Sequence, residues 1–121
     1  MIKLSEHFDA SEFKCRCCGE LHPGGKMPPV ELVKYLEDIR AHFEGRPVHI
    51  NSGYRCPKHN AAVGGASASR HMKGDAADLW IEGVSPKDVY DFADGLIDLA
   101  GGVGMYDTFT HIDVRGHKAR W

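Results

Sequence analysis

The chain has 121 residues, of which 42% are hydrophobic and 26% charged, and its formal net charge is −2 at pH 7; this is the balance of one soluble globular domain, with no electrostatic case for a nucleic-acid partner. A domain of this size buries roughly two-thirds of the surface its unfolded chain exposes, so a dense disulfide framework is not required. No apolar run approaches the roughly 20 residues of a membrane helix, and Met1-Ile2-Lys3-Leu4-Ser5-Glu6-His7 contains no apolar secretory stretch, so synthesis as a soluble cytoplasmic product is expected.

No repeat or low-complexity linker divides the sequence, and a single domain over 1–121 is expected: a cysteine-bearing arm at 1–28 and a core at 29–121. The arm carries Cys15, Cys17 and Cys18 with His22 nearby, and a fourth cysteine follows at Cys56. The Cys-x-Cys-Cys spacing departs from the Cys-x-x-Cys knuckle, so three fates stay open: a structural metal, a disulfide from the arm to Cys56, or free thiols.

From Pro29 to Phe43, Leu32, Leu36, Ile39 and Phe43 recur at helical spacing, with prolines before and Gly45 after. Residues 47–52 form a short β-prone run, and 57–63 a short helix stopped by Gly64-Gly65. An irregular stretch at 64–74 leads into a strand over 75–81, in which Asp78 and Trp80 share one face and Leu79 and Ile81 the other. Ser85 and Pro86 open a second helix. Its apolar stripe is Val89, Phe92, Ala93, Leu96 and Leu99, and its expected end is Gly101-Gly102. Strands over 102–106 and 110–115 join through Asp107 and Thr108 as a hairpin. In the second of them His111, Asp113 and Arg115 face opposite to Thr110, Ile112 and Val114. The expected fold class is α+β, a small antiparallel sheet with helices packed on one side.

The chemistry-bearing candidates are His71 and Asp78, coupled to His111. Two imidazole nitrogens and one carboxylate oxygen make a three-ligand set, which in a catalytic zinc site leaves a fourth position for water. Spacing alone is weak evidence in a chain with eight histidines. The full stretch is Ser-x-His-x-x-Gly-x-Ala-x-Asp, filled by Ser69, His71, Gly74, Ala76 and Asp78, and it resembles the signature of the M15 metallopeptidases. Two more stretches look like the short phage-type branch of that family. One is Ser52-Gly53-Tyr54-Arg55-Cys56-Pro57 with His59-Asn60; the other is the tail from Gly102-Val103-Gly104 through His111-Ile112-Asp113-Val114-Arg115-Gly116 to Trp121. The resemblance runs from about Pro29 to Trp121 and is looser in the arm.

The resemblance implies a hedgehog/DD-peptidase-like fold and Zn²⁺ held by His71, Asp78 and His111. The implied activity is hydrolysis of a peptide bond in a peptidoglycan stem peptide or cross-link, by a carboxypeptidase or an endopeptidase of endolysin type. It also implies Arg55 near the substrate carbonyl, where a guanidinium stabilises a developing oxyanion; the alternative for Arg55 is a surface ion pair. Ser69 binds substrate, holds the His71 loop, or is a plain turn hydroxyl. Many relatives carry an acid three residues before the last histidine ligand, where this chain has Thr108. Asp113 is therefore the first candidate for general base, Asp107 the second and His49 the third, while Asp113 has the alternative of hydrogen-bonding a ligand histidine and fixing its tautomer. Trp80 and Tyr106 line the groove or belong to the core, and Arg115, Arg120 and Trp121 are expected only to pack and solvate the closing strand.

A cell-wall enzyme made without an export signal needs another exit, and phage or prophage origin with release through a membrane lesion is one. The expected partners include no nucleic acid and no membrane insertion; nothing fixes the oligomeric state, and a monomer is the default. The rival function is a metal-retaining module that binds cell wall or a protein without turnover, to which the missing upstream acid gives weight.

Overall fold

The computed structural model describes residues 3–19, 27–66 and 69–121; His22 lies outside them. In chain order the elements are α1 (Val30–His42), β1 (Val48–Ser52), α2 (Pro57–Ala62), β2 (Ala76–Ile81), α3 (Pro86–Ile97), β3 (Gly102–Met105), β4 (Thr110–Asp113) and β5 (Ala119–Arg120). Short 3₁₀ turns at Ala10–Phe13, Arg70–Lys73 and Asp98–Ala100 stand between them. The strands form one sheet in the order β1-β2-β4-β3-β5. All neighbours are antiparallel except β3 and β5, which run parallel.

The alternation of side chains along the strands gives the sheet two unlike faces. On one, Val48 and Ile50, Ala77, Leu79 and Ile81, Val103, and Ile112 meet Leu32, Leu36 and Ile39 of α1 and Val89, Ala93 and Ile97 of α3 in a single apolar cluster. Burying a side chain of this kind stabilises the fold by roughly 1.5–3 kcal/mol relative to leaving it exposed. Ser85 caps α3 by accepting the Asp88 N–H at 3.1 Å, in line with the expected serine start.

Three features depart from the sequence reading. The α3 helix stops at Ile97, because Asp98 adopts φ 49°; a 3₁₀ turn carries the chain to Ala100 and leaves Leu99, expected in the apolar stripe, 68% exposed. The arm is part of the core, with Phe8 and Phe13 each 1% exposed. The tail adds β5, and Arg120, expected only to solvate it, donates to the carbonyls of Asp94, Asp98 and Gly101 at 3.2, 2.8 and 2.8 Å and to the Asp94 carboxylate at 2.6 Å. It thereby ties the tail to the C-terminal end of α3.

Candidate metal centre

The second face of the sheet carries the candidate site. Asp78 on β2 stands directly opposite His111 on β4 in the antiparallel register, where facing side chains start about 4.5–5.5 Å apart. His71 comes from the 3₁₀ turn just before β2. Its turn is capped by Ser69, whose hydroxyl accepts the His71 N–H at 3.2 Å, and closed by Gly74 in the left-handed region at φ 75°, which glycine adopts without steric cost. The sequence showed 64–74 only as irregular, since a single 3₁₀ turn has no apolar period to read.

The three side chains converge. One ligand atom from each of His71, Asp78 and His111 lies within 4.8 Å of the others, and the residues are 2%, 8% and 5% exposed. His71 Nε2 is 3.0 Å and His111 Nδ1 3.1 Å from the same oxygen, Asp78 Oδ1. Those spacings are near what bonds of about 2.0–2.1 Å to one tetrahedral zinc require.

Tautomer chemistry supplies an independent test of fit. His71 Nδ1 lies 2.7 Å from the Gly53 carbonyl, which can only accept, so Nδ1 carries the hydrogen and a neutral His71 presents its lone pair at Nε2. His111 Nε2 lies 2.8 Å from Asp113 Oδ2. That carboxylate also accepts from Gly102 N at 2.9 Å, from Arg115 N at 3.2 Å, and from Arg115 Nε and Nη2 at 2.9 and 2.8 Å. Burial alone would raise its pKa, but the His111, Arg115 and Gly102 hydrogen bonds outweigh burial and hold it well below the usual carboxylate range. An ionised Asp113 has no hydrogen to give, so His111 carries one on Nε2 and aims its lone pair from Nδ1. Two lone pairs and a carboxylate oxygen thus face one point, an arrangement that is repulsive unless both rings are protonated or a cation sits among them.

The charges agree. Asp78 is pushed up by burial but drawn down further by hydrogen bonds from His111 and His71, to a pKa of about 2. Burial works to lower His111, yet its bonds to Asp113 and Asp78 raise it. A cleft of about 490 Å³ opens over the cluster and is walled by Arg55, Ser69, Tyr106, Phe109, Arg115 and Trp121 among others.

The remaining candidates separate clearly. Asp113, expected on sequence as the proton acceptor beside the water, sits on the far side of the His111 ring, 0% exposed and saturated by donors; this is the tautomer-fixing geometry weighed as its alternative. Asp107 is exposed on the turn between the cleft-lining Tyr106 and Phe109. His49 stacks on Trp80 at 4.2 Å, and neither of these rings is among the cleft residues. Arg55 donates to Ser69 Oγ at 3.3 Å, and its Nε is buried with no partner among the described residues. Cys15, Cys18 and Cys56 gather where the arm meets the β1–α2 connection, and none of the four cysteines is in a disulfide.

Arg115 and Trp121 were undervalued on sequence. The Arg115 guanidinium lies 5.2 Å from the Trp121 ring centre, and that ring lies 4.9 Å from His111. The signal for Arg115 was its alternation with His111 and Asp113. For Trp121 it was Gly104, where a Cβ would stand 2.4 Å from the indole; glycine there lets the terminal tryptophan cross the strand.

Fold and site together describe a small α+β protein with a candidate single-ion centre at the floor of an open cleft. The chain belongs to the peptidase M15 family, whose model matches residues 6–113. It is 48% identical over 44 residues to the zinc D-Ala-D-Ala carboxypeptidase of Streptomyces albus G, covering 36% of this chain and 17% of that protein. It is 39% identical, over 83 aligned positions, to the peptidoglycan L,D-endopeptidase MepK of Escherichia coli strain K12, covering 63% of this chain and 44% of the relative; the Shigella flexneri protein of that name matches equally. The chain thus spans less than half the length of these curated relatives. No helix among the described residues is long and apolar enough to cross a membrane.

Proposed function

We propose that this chain is a zinc-dependent peptidase that hydrolyses peptide bonds in bacterial peptidoglycan, with His71 Nε2, Asp78 Oδ1 and His111 Nδ1 as the metal donors. The carrying observation is the pair of imidazole lone pairs that Gly53 and Asp113 aim at one carboxylate oxygen. The names of the relatives, one a zinc D-Ala-D-Ala carboxypeptidase and one a peptidoglycan endopeptidase, support the metal and the substrate class. When bound, zinc supplies a Lewis acid and lowers the pKa of its water to about 7.

The chain's own residues then have distinct tasks. Arg55, whose side chain lines the cleft, hydrogen-bonds the substrate carbonyl oxygen through its guanidinium as that oxygen gains charge; losing one such donor costs about 2.7–4 kcal/mol of barrier. Ser69 accepts from both Arg55 and the His71 N–H, so it positions the two. Asp113 is a positioning residue that keeps the hydrogen on His111 Nε2. Among the described residues that line the cleft Asp78 is the sole carboxylate side chain; Asp107, exposed on the turn between the cleft residues Tyr106 and Phe109, is the candidate proton acceptor.

The test is release of new amino groups from purified peptidoglycan by zinc-loaded protein, followed by mass analysis of a defined muropeptide. Loss of a terminal D-alanine marks a carboxypeptidase, and a split cross-link or stem an endopeptidase. Asp107→Asn is expected to lower kcat with metal content unchanged. Retention on peptidoglycan with no release by the zinc-loaded protein overturns the hydrolase and leaves the binding module.

A further inference from the structure

The arm carries a second cluster that the peptidase chemistry does not use. We propose that Cys15, Cys18 and Cys56, with Cys17 as fourth donor, hold a structural zinc ion that fastens the arm to the segment bearing Gly53 and Arg55.

The geometry is that of a thiolate knuckle. One sulfur from each of Cys15, Cys18 and Cys56 lies within 4.8 Å of the others, a span that small χ rotations close to the roughly 3.8 Å set by tetrahedral zinc–sulfur bonds of about 2.3 Å. The Cys-x-Cys-Cys run hides a Cys-x-x-Cys pair, because Cys15 and Cys18 are the two that converge. The loop between them turns as such a pair requires: Gly19 N donates to the Cys15 carbonyl at 3.0 Å, and Gly19 takes φ 76°. Cys17 is exposed and falls outside that group of three; its place in the run between Cys15 and Cys18 lets a side-chain rotation bring in a fourth sulfur.

Backbone donors prepare these sulfurs to carry charge. Cys56 N lies 3.4 Å from Cys15 Sγ, and His59 N lies 3.4 Å from Cys56 Sγ. N–H donation to sulfur favours the thiolate, the form that binds metal, and a thiolate set selects zinc over harder cations. On binding, each thiol gives its proton to solvent.

The site has a structural consequence. Phe13, two residues before Cys15, accepts the Tyr54 N–H at 2.8 Å, and a Cβ on Gly53 would meet the Phe13 backbone at 2.6 Å. Gly53 in turn accepts from His71. Metal at the cysteines thus holds the backbone that orients one imidazole of the cleft.

The experiment counts metal in the full chain purified under reducing conditions. The expected result is two equivalents of zinc in the unaltered protein and one in His71→Ala/His111→Ala, which leaves only the cysteine site. Cobalt(II) loaded into that double variant should give the sulfur-to-cobalt charge-transfer absorption of a tetrahedral thiolate centre, and Cys18→Ser added to it should abolish the band. Cys17→Ser should shift the band and weaken retention against a chelator. The proposal is overturned if the folded double variant retains no metal and gives no such band, or if alkylation and mass analysis show a disulfide among the four cysteines. If Cys18→Ser does not fold, the double-histidine variant decides alone.

Discussion

The two faces of β2 are built to opposite rules within six residues. Ala77, Leu79 and Ile81 point into the apolar cluster and need only shape, whereas Asp78 on the other face buries a charge that must be met by specific partners. Apolar burial is non-directional and tolerates volume-conserving exchange; a buried carboxylate is costly unless it is paired and hydrogen-bonded. The first face stabilises the sheet, and the second draws on that stability to hold two histidines and two aspartates against each other.

The largest effect that would sharpen this contrast is Leu79→Ala, expected to cost about 2–5 kcal/mol of unfolding free energy in urea titrations of the metal-free chain. Zinc affinity per folded molecule should stay as it was. If it falls as far as it does in Asp113→Asn, the two faces are not separable. Asp113→Asn acts from the other side: removing the charge that fixes the His111 tautomer is expected to weaken zinc binding by about 10- to 100-fold, read by competition with a chelator. A general base at this position would instead lower kcat and leave affinity unchanged.

Gly104→Ala should be smaller, near the low end of the range of about 1–3 kcal/mol for overpacking, since the Trp121 ring it strikes is 45% exposed and can move. The displaced ring should raise KM for a muropeptide with zinc affinity intact. The smallest effect lies away from both faces, at Glu37, which accepts from Ser5 and from the His7 N–H and ring. Burial raises its pKa, but those hydrogen bonds outweigh burial and set it below 4.5. A carboxylate depressed on folding contributes stability above its unfolded pKa and loses it as pH falls through the folded value. Glu37→Gln should therefore flatten the loss of stability on acidification below about pH 4.5, with the melting temperature followed across that range.

The sequence made one face easier to read than the other. Alternation along β2 and β4 placed Leu79 with Ile81 and His111 with Asp113, because period two is a property of the strand itself. It could not say which nitrogen of His111 meets Asp113, since an i, i+2 relation gives a shared face and no ring orientation; the two roles weighed for Asp113 could not be told apart for that reason. A two-residue β5 has no period at all, so the roles of Arg120 and Trp121 depended on parallel pairing with β3 that only the folded chain displays. The cysteine pair was masked by Cys17, which sits inside the knuckle and breaks its pattern. The end of α3 was overrun because Asp98 at positive φ leaves no trace in hydropathy.

The acceptor for His71 is a main-chain oxygen, that of Gly53, and no codon change removes such an atom. No alanine scan can delete it, and a survey of functional side chains would pass it by. It can be moved only by moving the peptide plane, for instance by giving residue 53 a side chain that levers the Phe13 backbone away. One imidazole of the cleft is therefore aimed by chain geometry and the other by an erasable aspartate, and selection can retune the second far more readily than the first.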